Sequence, residues 1–187
     1  MIINLPNILS LSRILLVPLL VAVLLTKFDG KELVGLAVFL VASLTDFLDG
    51  FIARRRKLVT RLGMLLDPAA DKILTSAALI ALVELELAPA WMVVLIIARE
   101  FSVSALRSIA ASAHLVLAAI PSAKLKTVTQ MVAIALLIIS ERLGDLTPLA
   151  PIALWVAMLV SLYSGFEYFV RYGPALFGRN AGSEEVS

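Results

Sequence analysis

Four aspartates set in apolar sequence are the residues of this chain best suited to chemistry. Asp46 and Asp49 are followed by Gly50, Ala53 and Arg54, and after eight more residues come Gly63, Asp67 and Asp71. On a helix, spacings of i, i+3 and i, i+4 put each pair on one face with Cβ atoms about 5–6 Å apart. Two such helices side by side would converge four acids. An ionised carboxylate in an apolar layer costs about 2.5 kcal/mol or more, so four together need a compensating charge. Arg54, Arg55, Arg56, Lys57 and Arg61 lie in the connection between the two helices, facing water and lipid head groups, so bound divalent cations answer the need better. Oxygen-only ligands on rigid helices suit hard cations such as Mg²⁺ or Mn²⁺. No cysteine and one distant histidine, His114, argue against zinc. Two ions about 3.5–4 Å apart can clamp the attacking and leaving oxygens of a phosphoryl displacement, which makes phosphorus chemistry the natural hypothesis. Gly50 and Ala53 leave helix surface bare, so a flat group such as a nucleotide base can approach the backbone while Arg54 meets its phosphates.

Intramembrane acids have other uses: an ion-pair network bracing two helices, or an ion-translocation path. Neither explains the glycines, the alanine and the flanking basic turn. For Arg55, Arg56, Lys57 and Arg61, topology and head-group attraction suffice.

The elements that must position these residues are helices in a bilayer. The chain has 187 residues, 61% of them hydrophobic, and a mean hydropathy of +1.01, too apolar for a soluble domain with one ordinary core. The expected fold is an all-α integral membrane protein, one domain with six transmembrane helices. Residues 1–13 mix polar and apolar types and suit a short interfacial segment. Spans are expected at about 14–25, 33–53, 64–83, a stretch starting after Pro89, 127–140 and 149–170, with Pro68 tolerated in the first turn of the third. Arg99 and Glu100 interrupt the fourth, and Gly173, Pro174, Gly178 and Gly182 predict a flexible tail over 172–187. The turns on one side hold Lys27, Lys31 and Arg142 against Asp29, Glu32, Glu84, Glu86, Glu141 and Asp145, while the opposite side holds nearly all other basic residues. The positive-inside rule then puts both termini and all four aspartates toward the cytoplasm, in a multi-pass protein of the cell's inner membrane.

The pattern Asp46-x2-Asp49-Gly50-x2-Ala53-Arg54-x8-Gly63-x3-Asp67-x3-Asp71 resembles, at every fixed position, the signature of the CDP-alcohol phosphotransferase family. Secondary stretches around Pro6 to Ser10 and Arg13, Arg99 to Arg107, and Lys124 to Gln130 are similar to the branch of that family that uses glycerol 3-phosphate. The resemblance implies transfer of a phosphatidyl group from CDP-diacylglycerol to sn-glycerol 3-phosphate, giving phosphatidylglycerophosphate and CMP. It implies two Mg or Mn ions held by Asp46, Asp49, Asp67 and Asp71, with Asp71 also the catalytic base. Asp49, Gly50, Ala53 and Arg54 would border the CDP moiety. The acceptor carries a phosphate dianion, so its pocket needs fixed positive charge, for which Arg107, Lys124 and Lys126 are candidates. Arg99 reaches either inward to Glu100, Asp71 or a substrate phosphate, or serves structure alone. Inositol phosphate, serine or another alcohol is the rival acceptor; a cation transporter or membrane scaffold is the rival class. A homodimer is expected because family members resembling this chain form them, and no nucleic-acid partner is expected.

Overall fold

The computed structural model describes the backbone of residues 5–56, 61–112, 115 and 120–177 and, within these, the side chains of residues 12–45, 69–70, 72–112, 115 and 120–174. Among the described residues the chain forms α1 (Leu5–Leu25), α2 (Lys31–Arg56), α3 (Arg61–Glu84), α4 (Ala90–Ser112), α5 (Pro121–Ile138) and α6 (Leu149–Phe177), and no strand. Two short 3₁₀ turns, Ser140–Arg142 and Gly144–Leu146, lead into α6. The all-α class expected from the sequence is what the chain adopts.

The turns follow from local chemistry. Gly30, at φ +84°, takes the left-handed conformation that opens α2. Glu86, at φ 59°, closes α3, and the Leu87 amide donates back to the Leu82 carbonyl as in a Schellman cap. Pro121 stands in the first turn of α5, where its missing N–H is no loss.

Four boundaries differ from the sequence reading. Residues 5–13 are not a segment apart, because α1 runs unbroken from Leu5 through Pro18 to Leu25. Pro68 falls about two turns inside α3, which begins at Arg61. α5 starts at Pro121, six residues before the expected Thr127. The tail expected from residue 172 is helical to Phe177: Gly173 is buried, the Tyr168 and Tyr172 rings pack 5.7 Å apart, and Arg171 lies 5.8 Å from the Tyr172 ring. Both tyrosines also pack against Val103, Leu106 and Ala110 of α4, and this burial works against the loss of the hydrogen bond that Pro174 removes. Residues 178–187 lie outside the described residues.

α1 packs most extensively on α2 and α3, and α6 on α4 and α5. The core is split. A large apolar cluster (Leu20, Phe39, Leu79, Met92, Ile134, Leu154 and neighbours) fills the end of the bundle that bears the turns after α1, α3 and α5. A smaller one (Val103, Leu106, Ala110, Ile120, Tyr168) joins α4, α5 and α6 toward the other end. Between the two clusters lie buried Arg99, Glu100, Lys126, Gln130, Ser161 and Ser164.

The outer surface is apolar as well. Leu15, Leu40, Val41, Ile80, Val94, Phe101, Val128, Leu159, Tyr163 and Phe166 all stand exposed. A helix apolar on all sides belongs in a large core or a membrane. Among the described residues one helical stretch, 144–174, is long and apolar enough by length and composition to cross a bilayer, and a shorter apolar one covers 12–25.

Candidate functional site

The acidic motif is carried by helix. The backbone is helical at Asp46, Asp49, Gly50, Ala53 and Arg54 on α2 and at Gly63, Asp67 and Asp71 on α3, so the pairs have the i, i+3 and i, i+4 register the sequence predicts. The side chains of these residues lie outside the described ones, as does His114. As a donor set the motif fits hard divalent cations: four carboxylates, on helical backbone, with no softer ligand at its fixed positions.

One residue beyond Asp71 the described site begins. Lys72 Nζ donates to Ser104 Oγ across the α3–α4 contact, and the Ser104 hydroxyl donates to the Glu100 carbonyl at 2.7 Å. Glu100 is the hub. Its Oε1 accepts from Arg99 Nη1 at 2.9 Å and from Lys126 Nζ at 2.6 Å. Arg99, Glu100 and Lys126 are at most 9% exposed, so water screens little of this interaction. Two cations on one carboxylate leave a positive charge over, in a layer bounded by apolar clusters.

That charge is balanced at a distance. Arg99 Nη2 donates to Ser164 Oγ at 2.8 Å, Ser164 Oγ lies 3.3 Å from Ser122 Oγ, and Ser122 donates to Glu167 Oε2 at 2.6 Å. Ser122 has one hydroxyl proton, which the carboxylate takes, so at the 3.3 Å contact Ser164 is the donor. The chain of donors therefore runs one way, from the Arg99 guanidinium to the Glu167 carboxylate. Local fit explains its path: a Cβ at Gly165 would stand 2.8 Å from Arg99 Cγ and 3.3 Å from Arg99 Nε, so only glycine lets Arg99 lie along α6. Arg99 Nε is buried and has no hydrogen-bond partner among the described residues.

Of the expected acceptor-side cations, Arg99 and Lys126 are brought together, and Arg99 makes the Glu100 contact among those expected of it. Arg107 and Lys124 are not part of this cluster: both are exposed, with no ion pair among the described residues. α4 and α5 bury one stripe each, and Lys126 falls on the buried stripe of α5 while Lys124, two residues earlier, falls off it. The sequence reading assigns no site role to Lys72, Ser104, Ser122, Ser164, Gly165 or Glu167. Glu167 had a signal, being the sole charged residue between Leu149 and Val170 of an apolar helix.

At the opposite end, a small pocket lined by Leu24, Leu85, Leu87 and Ile138 with Lys31, Glu32 and Glu141 lies beside the exposed Arg142–Glu32 ion pair of 3.0 Å. It contains none of the motif residues.

A sequence model of the CDP-alcohol phosphatidyltransferases matches residues 3–163. The chain is 44% identical to the CDP-diacylglycerol–glycerol-3-phosphate 3-phosphatidyltransferase of Bacillus subtilis, over 92% of this chain and 97% of that protein. It is 38% identical to the protein of the same name from Salmonella choleraesuis, over 88% and 92% of the two chains, and 36% identical to that of Rickettsia typhi, over 89% and 95%.

Proposed function

Since the chain belongs to the CDP-alcohol phosphatidyltransferase family, we propose that it transfers the phosphatidyl group of CDP-diacylglycerol to sn-glycerol 3-phosphate, yielding phosphatidylglycerophosphate and CMP. The observation that carries the acceptor assignment is the buried Arg99–Glu100–Lys126 triad, with its surplus positive charge. A neutral alcohol has no use for that charge. A phosphomonoester dianion does, and charge-assisted hydrogen bonds are the strong ones.

Asp46, Asp49, Asp67 and Asp71 would hold two divalent cations, Mg or Mn, which when bound supply positive charge to the diphosphate of the donor. Gly50 and Ala53 admit the cytosine ring to the surface of α2, and Asp49 and Arg54 border the CDP moiety. Lys126, with Arg99 behind it, binds the acceptor phosphate and so orients the acceptor hydroxyl; Arg107 and Lys124, outside the buried layer, add attraction for the incoming dianion. Asp71 takes the hydroxyl proton as the new oxygen–phosphorus bond forms and the bond to CMP breaks. Positioning and charge then account for most of the rate.

The setting is a cell membrane, crossed by the six helices, with the motif end and both termini on the cytoplasmic side. The ring of exposed apolar side chains and the excess of basic residues on the motif side support this. The chain acts as one domain and assembles as a homodimer.

The deciding experiment is metal-dependent CMP release from CDP-diacylglycerol in detergent, with glycerol 3-phosphate, inositol phosphate, serine and plain glycerol as acceptors. Release with glycerol 3-phosphate well above the rest is expected. Preference for a neutral acceptor overturns the acceptor assignment, and no release with any acceptor overturns the enzyme.

A further inference from the structure

We infer that Ser164 and Glu167 of α6, with Ser122 of α5, are positioning residues for the acceptor phosphate, acting through Arg99 and Glu100 on Lys126. The inference rests on the phosphorylated-acceptor reading above.

Lys126 and Arg99 share a single oxygen, Glu100 Oε1, at 2.6 and 2.9 Å. Arginine has a planar fork of donors and, left to itself, takes a carboxylate with two nitrogens on two oxygens. Here Nη2 is turned away to Ser164 Oγ at 2.8 Å. That contact restrains Arg99 to one nitrogen on Glu100, and the rest of the carboxylate's hold goes to Lys126. Ser164 can accept from Arg99 in a fixed direction because its own proton is committed to Ser122, and Ser122 is committed in turn to Glu167. Each link polarises the next.

The charges make the same point. Arg99 and Lys126 are matched by Glu100 and Glu167, so the set is neutral and tolerable in a buried layer. The second carboxylate is held two serines away from Arg99, leaving the Lys126 end locally positive. A brace serving stability alone gains nothing from that separation, since a carboxylate placed directly on Lys126 would be the more favourable pair. A pocket for a dianion does gain from it.

The test is kinetic, on the full chain in detergent, with KM measured separately for glycerol 3-phosphate and for CDP-diacylglycerol. Ser164→Ala and Ser122→Ala are expected to raise the glycerol 3-phosphate KM by about tenfold while the CDP-diacylglycerol KM stays within about twofold. Glu167→Leu is expected to behave like Ser122→Ala, and Glu167→Gln, whose side-chain carbonyl still accepts from Ser122 but which lacks the charge, to fall between Glu167→Leu and wild type. Should Ser164→Ala fail to fold, Ser122→Ala and the Glu167 pair decide alone, because both positions are only half-buried. Two KM values that move together, or neither moving, overturn the positioning role while leaving the enzyme reading intact. Wild type that releases no CMP with glycerol 3-phosphate overturns both.

Discussion

Gly165→Ala is the sharpest test of how Arg99 is held. In the interior of a helix this substitution by itself stabilises by about 1 kcal/mol, because alanine loses less backbone freedom on folding. The new Cβ, however, would sit 2.8 Å from Arg99 Cγ. Carbon atoms settle about 3.5–4.0 Å apart, so Arg99 or α6 must give way by roughly 0.7–1.2 Å. The contacted atom is near the root of the side chain and cannot swing clear as a terminal methyl can. A displacement of that size carries the 2.8 Å Ser164 contact and the 2.9 Å Glu100 contact to the limit of hydrogen bonding. Hydrogen bonds to charged groups contribute about 1.5–3 kcal/mol each, so losing one outweighs the propensity gain and losing both reverses it severalfold. The expected net effect is destabilisation of about 1–3 kcal/mol, read as a lower thermal midpoint in detergent, together with a raised glycerol 3-phosphate KM. Gly35→Ala is the control: its Cβ meets the end of the Leu24 side chain at 2.6 Å, an atom that can rotate aside, so its cost is smaller. A Gly165→Ala protein as stable as wild type, with unchanged KM, would refute the packing argument.

Two further outcomes concern the site and a third the far end of the bundle. Replacing any one of Asp46, Asp49, Asp67 or Asp71 by asparagine should lower CMP release by at least about a hundredfold, and chelation should abolish release until Mg²⁺ or Mn²⁺ is restored; activity that survives chelation would remove the metals. Lys126→Ala should raise the glycerol 3-phosphate KM by about a hundredfold, and the exposed Arg107 and Lys124 should each cost about tenfold or less on alanine substitution, with CDP-diacylglycerol binding retained throughout; equal effects at all three positions would deny the buried triad its special role. At the far end of the bundle, the hydrogen bond from Arg142 holds the Glu32 carboxyl below its ordinary pKa. A depressed folded-state pKa gives stability that is present above the unfolded value and lost as pH falls through the folded one. The difference in thermal midpoint between wild type and Glu32→Gln should therefore be present at neutral pH and vanish in acid below the usual carboxylate range; a difference that persists there would locate the effect elsewhere.

Much of this architecture can be read from the chain without coordinates, and the reasons are physical. Long apolar runs punctuated by clustered charges mark helix positions, so α2, α3 and α4 fall close to where the sequence puts them. The acidic motif is legible because its fixed spacing matches helical register, and the helical backbone at those positions agrees. Gly173 and Pro174 mislead because breaker chemistry is local, whereas the packing of Tyr168 and Tyr172 against Val103, Leu106, Ala110 and Ile120 that carries α6 onward is tertiary. The acceptor cations divide the same way. Arg99, Arg107, Lys124 and Lys126 look alike in sequence, and only the buried stripes of α4 and α5 separate the paired from the exposed. Serines such as Ser122 and Ser164 carry no sequence signal, since a serine in an apolar helix is as readily bonded to its own backbone as to a neighbour.

The position of the polar layer links fold to chemistry. Buried charges so close together would lose most of their mutual attraction in bulk water, and the two apolar clusters on either side limit the directions from which it can enter. Below the larger cluster the side chain of Lys72, the residue after Asp71, is tied through the Ser104 hydroxyl to the backbone carbonyl of Glu100 by two hydrogen bonds. A shift in α4 would then disturb the proposed base and the acceptor cation together. Ser104→Ala tests that coupling: it removes the tie, including the bond to the Glu100 carbonyl, while leaving the side chains of Arg99, Glu100 and Lys126 in place, so a fall in kcat with the glycerol 3-phosphate KM held would place Ser104 on the side of Asp71, and a rise in KM alone would place it on the side of Lys126.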